Sequence, residues 1–525
     1  MSKTSYTRKL LVVGVIIAIM IVAAVAYTFW SNIKPAVTKT VVWGTTEAIP
    51  GVFPGLVRTY SEYIPCNLIF EPLYMFKPNT FELKPILATN VQAITPSIWE
   101  VTLREGIKFH DGTPFNASVV KFCIENTIND TRRPFGKEQI GKIVDYVEVM
   151  NETAVRFHLK SPGFAGFPYL LAHPSCLLIY SPTAYLAAGD NYATTGAMGT
   201  GPFKLARYTT QEIILEANHD YWNQTEVPKI EKFIFSVYTD PGSMKIALEQ
   251  GDIDVAHRWI YEADVKSLLN TTRIVTSESA DPYVYFLGLN SRNTYLNSTK
   301  VRQAIAYAID YNAINSLAVS RRSYSAMPSK WTYVYPAQNI FERNLTRAKE
   351  LMKEAGYQDG LPENIEMYFT TLFGTEFVTV SSLIQSNLAE IGVHVDLKSV
   401  EWATMLTYRA DGTCPMGIFR FTYTLADPHY VAIYIHRSDG SYGKGFAYGN
   451  STINALDDQG AIELNETRRI QLYQQIQQML DPEAHLIYMF EKQQYLFHSK
   501  NMKNLGLDSV IFYNWYNLRF IDKDE

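Results

Sequence analysis

The chain has 525 residues, a formal net charge of −5, and a composition of 47% hydrophobic, 13% aromatic and 19% charged residues. Those figures exclude an intrinsically disordered chain and a multi-pass membrane protein. The acidic balance, larger still once Lys3, Arg8 and Lys9 are set aside, disfavours nucleic acid as a partner, and the length calls for two or more domains.

Leu10 to Trp30 is apolar throughout apart from Thr28 and follows Lys3, Arg8 and Lys9. The run is long enough to span a bilayer and exceeds a secretory apolar region of about 7–15 residues. It predicts a retained N-terminal transmembrane helix, with 1–37 as anchor and stalk and everything after Trp30 outside the cell. Ala24-Val25-Ala26 supplies a small-residue cleavage signal, which would instead give a secreted form. Nine asparagines (Asn116, Asn129, Asn151, Asn223, Asn270, Asn297, Asn344, Asn450 and Asn465) sit in Asn-x-Ser/Thr. Chance would give roughly four, so the excess agrees with an extracellular glycoprotein, with plain polar loops as the alternative.

Further along, Asn116 predicts a helix cap before Val119, Val120, Cys123, Ile124 and Thr127, which makes it a weaker glycan acceptor. Gly199-Thr200-Gly201-Pro202 predicts a tight turn entering a strand. Val301, Ala304, Ile305 and Ala308 share one helical face, and Asn344 caps a second helix with Leu345, Ala348, Leu351, Met352 and Ala355 before Gly356. From Glu363 to Val400 a strand (Ile365, Met367, Phe369), a helix (Val380, Leu383, Ile384, Leu388, Ile391) ended by Gly392, and a strand (Val393, Val395, Leu397) form a parallel crossover. An α/β architecture follows, and the lack of an extended linker implies interleaved domains.

No catalytic motif is present: there is no Gly-x-Ser-x-Gly, His-Glu-x-x-His, Walker loop or dinucleotide glycine loop. His110-Asp111 could be drawn as a base with its orienting carboxylate, but Asp-Gly and Thr-Pro around it are turn formers. Cys66, Cys123, Cys176 and Cys414 lack zinc or redox spacing; buried thiols or one or two disulfides are both open. No cofactor or metal is expected.

An ordered series of segments carries a resemblance. It includes Ile69-Phe70-Glu71-Pro72-Leu73, Thr102 to Ala117 (Thr-Leu-Arg-Glu-Gly-Ile-Lys-Phe-His-Asp-Gly-Thr-Pro-Phe-Asn-Ala), Gly199 to Phe203, Asn218 to Trp222, Gln250 to Asp254 and Val301 to Asp310. From Val42 to about Phe497 the chain resembles an extracellular solute-binding protein of the peptide/nickel/opine type, the receptor of an ABC importer. The resemblance implies a two-lobed periplasmic-binding-protein-like fold with an inserted subdomain, closing over solute about a hinge. Lobe I would take 38–70, 198–282 and 495–525, the insert 71–197, and lobe II 283–494. A peptide or oligosaccharide solute, the permease subunits and a monomeric state are implied as well, with no turnover.

For the site, Glu401-Trp402 followed by Arg409 resembles the segment in which tryptophan packs on ligand and arginine faces an anionic end; core filler and a surface ion pair are the alternatives. Arg420-Phe421-Thr422-Tyr423-Thr424-Leu425-Ala426-Asp427-Pro428 aligns with Gly-Trp-x-x-Asp-Tyr-x-(Asp/Glu)-Pro of the peptide receptors. Thr424 stands where a carboxylate anchors the peptide amino group, and a neutral hydroxyl cannot make that charge-assisted bond. Arg420 replaces glycine and adds positive charge near the same wall. Blocked peptides, anionic solutes and oligosaccharides become credible, with Phe421 and Tyr423 as stacking groups or core residues. Thr46 and Glu47, in the loop after the first strand, complete the candidate ligand set, Glu47 offering a carboxylate in place of the missing Asp or simply a solvated charge. Asp427 reads as a turn residue. A sensory ectodomain or a secreted hydrolase would be the competing classes.

Overall fold

The crossover from Ile365 to Ser399 forms as its periodicity dictates. Strands Ile365–Phe369 and Val395–Ser399 pair in parallel, Ile365 opposite Val395, with the helix Glu376–Ala389 between them. Val380, Ile384 and Leu388 are buried, and Gly392 turns the chain at φ +75°. The computed structural model describes residues 39–56, 60–131, 137, 140–160, 162–173, 177–257, 267–268, 271–318, 320–327, 331–335, 341–372, 374–422, 425–505 and 516–524. Leu10 to Trp30 lies outside them; among the described residues no helix is long and apolar enough to cross a membrane.

Eleven strands make one sheet: β1 (Thr40–Thr45), β2 (Phe203–Tyr208), β3 (Glu212–Ala217), β4 (Lys232–Val237), β5 (Val255–His257), β6 (Ile274–Leu289), β7 (Ser320–Arg322), β8 (Ile365–Phe369), β9 (Val395–Ser399), β10 (Met416–Thr422) and β11 (Leu486–Ser499). Their order is β9-β8-β10-β6-β11-β5-β1-β4-β3-β2, with β7 also on β11. β6 and β11 are the long pair, at 16 and 14 residues, and they run through both halves of the sheet. Near one end β11 pairs with β5 (Val255 opposite His498); near the other, β6 pairs with β10 (Leu289 opposite Met416). Between these ends the β6–β11 register slips, from Ala280/Gln493 to Val284/Glu491. An irregularity of this kind interrupts the ladder and bends the strands.

A second, four-stranded antiparallel sheet (Ala88–Thr95, Ile98–Leu103, Ala154–Leu159, Val144–Asn151) carries the helix Ala117–Asn129. Asn116 caps that helix, its side chain accepting from the Val119 N–H at 3.1 Å. Cys66, Cys123 and Cys414 are buried thiols, and Cys176 lies outside the described residues.

Several segments that carried the resemblance converge on Glu71. Its fully buried carboxylate accepts from Thr200 Oγ1 (2.8 Å), Tyr221 OH (2.7 Å), Trp222 Nε1 (2.8 Å) and Arg519 Nη1 (2.6 Å). One carboxylate thereby ties three distant stretches of chain to its own, and the fully buried Arg519 offsets its charge. Close approach also explains the glycines: a Cβ on Gly199 would lie 2.0 Å from the Ile69 carbonyl oxygen, and one on Gly201 would lie 2.4 Å from that of Leu68. Only glycine fits between those backbones.

Candidate functional site

The expected lobe II wall begins at the helix Trp402–Ala410 and continues along β10. Half-buried Trp402 meets Phe419 at 6.1 Å between ring centroids. Two residues on, Phe421 shares that side of the strand and packs among Tyr430 (6.3 Å), Tyr434 (6.1 Å) and Tyr442 (6.5 Å), at 7% exposure. Arg409 reaches the same aromatic group, its guanidinium 4.2 Å from the centre of the Tyr442 ring. Its stem lies along Gly445, where a Cβ would stand 2.7 Å from Arg409 Cγ. No carboxylate among the described residues pairs with Arg409, and its buried Nε has no hydrogen-bond partner there. Burial raises the Tyr442 pKa, and the neighbouring Arg409 opposes the rise.

Arg420 lies on the other side of β10, since neighbouring residues of a strand point to opposite faces. Its guanidinium sits 3.9 Å over Tyr283, away from the Phe421 group. Trp402, Arg409 and Phe421 are therefore brought together, and Arg420 is not. Tyr423 and Thr424 lie outside the described residues.

On lobe I, Thr46 and Glu47 follow β1 and are half-buried. The Glu47 N–H donates to Thr45 Oγ1 and its carboxylate accepts from the Ser61 N–H, both at 3.1 Å. Ser61 opens the helix Tyr60–Ile69, so the carboxylate complements the positive end of that helix. Glu47 is thus a positioned group, fixed by its backbone partner.

The turn residue Asp427 has a larger role than its sequence context suggested. It caps the short helix Pro428–Val431 through the His429 N–H (2.9 Å) and, fully buried, accepts two bonds from Arg469, at 2.7 and 2.9 Å. Burial works against the Arg469 charge, but Asp427 and the surrounding tyrosines hold its pKa well above the ordinary value. Arg469 shares the buried side of the helix Glu466–Leu480 with Leu472, Tyr473 and Ile476. A cation on an apolar helical stripe was the one signal of this pair in the sequence.

Asp427 also lies where residues 81–166 touch residues 331–461. The Ala165 N–H donates to the Ala461 carbonyl at 2.6 Å, Phe164 lies 5.9 Å from the His429 ring, and Phe81 stacks on Trp331 at 5.0 Å. Gly166 packs against the carboxylate itself: a Cβ there would stand 2.0 Å from Asp427 Oδ2.

The tempting dyad dissolves. His110 Nε2 bonds the Gly201 carbonyl (2.9 Å), and burial holds the imidazole neutral with a pKa lowered to about 4. Asp111 instead accepts from Thr113 and Ser181. Among the described residues no cluster of His, Cys, Asp and Glu could hold a metal ion.

Comparison with known proteins decides the class. Residues 82–443 match the family described as bacterial extracellular solute-binding proteins, family 5. The chain belongs to that family. As a family 5 protein it is the solute-binding component of an ABC importer and not an enzyme. It is 26% identical over 423 residues to a probable D,D-dipeptide-binding periplasmic protein of Escherichia coli, covering 79% of this chain and 80% of the relative. The heme-binding protein A of Haemophilus influenzae is 23% identical, over 87% and 88% of the two chains. Among solved structures, HbpA2 of Haemophilus parasuis superposes with a TM-score of 0.82 at 22% identity, covering 93% of this family 5 chain and all of the other. The periplasmic murein tripeptide-binding protein MppA, in an unliganded open form, gives 0.80 at 17% identity, over 93% and 98%. These structures share the two-lobed α/β fold.

Proposed function

We propose that this protein is a membrane-anchored receptor that captures an oligopeptide or a similar oligomeric solute between its lobes and presents it, as a monomer, to the importer's membrane subunits. Leu10 to Trp30 would be the anchor, and 283–494 would swing against the remainder about the slipped register of β6 and β11. Ligand that touches both lobes only when they are together shifts the population toward the closed form.

The observation that carries the reading is Arg409: a guanidinium lodged in an aromatic group with no carboxylate partner among the described residues. Such a cation rewards an anionic end on the solute, and Trp402 and Phe421 beside it offer apolar burial. A peptide carboxylate supplies that chemistry, and relatives are named for D,D-dipeptides and glutathione. On lobe I, Thr46 and Glu47 would face the other end of the solute. Thr424, Tyr423 and Arg420 are proposed as neighbouring contacts that set which solutes fit.

Mass spectrometry of solute retained by the purified ectodomain tests this directly. An intact peptide or other carboxylate-bearing oligomer is the expected result; a neutral oligosaccharide would overturn the role of Arg409 and favour stacking on the aromatic wall alone. Thr424→Asp, which restores a carboxylate where peptide receptors carry one, is expected to strengthen binding of peptides with free amino termini about tenfold, equivalent to about 1.4 kcal/mol. Unchanged affinity by calorimetry would remove Thr424 from the site.

A further inference from the structure

Five described asparagines cap helices through their side chains, Asn116, Asn223, Asn344, Asn450 and Asn465, and every one is followed two residues on by Ser or Thr. Three aspartates cap in the same way, Asp240, Asp310 and Asp427, and two residues after them stand Gly242, Asn312 and His429. Asn and Asp cap about equally well, and neither needs a hydroxyl two positions later. The hydroxyl therefore follows the asparagine and not the cap.

Geometry at the three exposed cases sharpens this. Asn344, Asn450 and Asn465 each accept through Oδ1 from the backbone N–H three residues on, at 2.9, 3.0 and 3.0 Å, while Nδ2 donates to nothing among the described residues. Thr346, Thr452 and Thr467 are likewise exposed, and their hydroxyls bond nothing there. The fold uses the oxygen of each amide and leaves its nitrogen in solvent, where Asn-x-Thr is the acceptor signal for N-glycosylation.

We infer that Asn344, Asn450 and Asn465 carry N-linked glycans in the folded protein, an inference that draws on the family's extracellular address. In the transfer, Nδ2 attacks the anomeric carbon of a lipid-phosphate-linked oligosaccharide. The new C–N bond forms as the C–O bond to phosphate breaks, the phosphate departs with the electron pair, and the amide gives up one proton. Oδ1 remains available to cap, so modification and helix initiation coexist, and capping alone does not weaken an acceptor as the sequence had suggested for Asn116.

Glycopeptide mass spectrometry of full-length protein from the cells that make it is the test. Sugar mass on at least two of the three asparagines is expected; one or none overturns the assignment. Thr467→Ala and Asn465→Asp, which both keep the cap, should each abolish the Asn465 glycopeptide with the same melting temperature. A lower melting temperature in Thr467→Ala alone would give the hydroxyl to the fold and equally overturn it. Neither outcome touches solute binding, which is read separately.

Discussion

Replacing Arg469 with methionine is expected to destabilise the protein by roughly 3–5 kcal/mol, the cost of leaving one member of a buried ion pair unpaired. Arg469 is 2% exposed and Asp427 fully buried, and the bidentate contact is backed by Arg469 Nε to the Gly460 carbonyl (2.8 Å) and Nη1 to the Tyr333 hydroxyl (3.2 Å). Methionine fills much of the volume but leaves the Asp427 carboxylate with little beyond the His429 N–H. The double change Asp427→Asn with Arg469→Met should recover much of the loss, because the stranded charge is gone. Urea denaturation reads both; a single-variant loss under about 1 kcal/mol would mean that water reaches the pair.

Gly166→Val is expected to weaken solute binding at least tenfold while leaving the inserted sheet folded. Gly166 has φ −75°, a conformation open to any residue, so valine is not strained by its own backbone. The obstacle is Asp427, far off in the sequence, whose Oδ2 would stand 2.0 Å from the added Cβ. The nearby Phe164 ring, at 2.6 Å, can rotate aside, whereas Asp427 is pinned by Arg469. Valine therefore holds the Phe164–Gly166 turn away from Asp427, and contacts such as Ala165 to Ala461 are lost. Small-angle scattering with saturating solute should show a larger radius of gyration than wild type. Wild-type affinity and wild-type dimensions together would remove this contact from closure.

What the sequence disclosed follows from the range of each interaction. The crossover at 365–399 was legible because strand and helix periods are local, and so were the caps at Asn116 and Asn344. Strand alternation alone separates Arg420 from Phe421, although the resemblance had placed both on one wall. The Glu71 group was invisible: Thr200, Tyr221, Trp222 and Arg519 converge on it from across the chain, and no window of residues contains them. Conversely, the segments that made the family recognisable, around Glu71, His110 and Gly199, serve packing among themselves.

The placement of β11 bears on how the protein is made. Residues 486–499 supply a strand lying between β5 (255–257) and β6 (274–289) in the middle of the sheet, made long after either neighbour. Until residues 486–499 have been made, those two strands lack their shared neighbour, and such bare edges recruit foreign strands. A chain stopped short of residue 486 is therefore expected to aggregate and not to give a smaller working receptor.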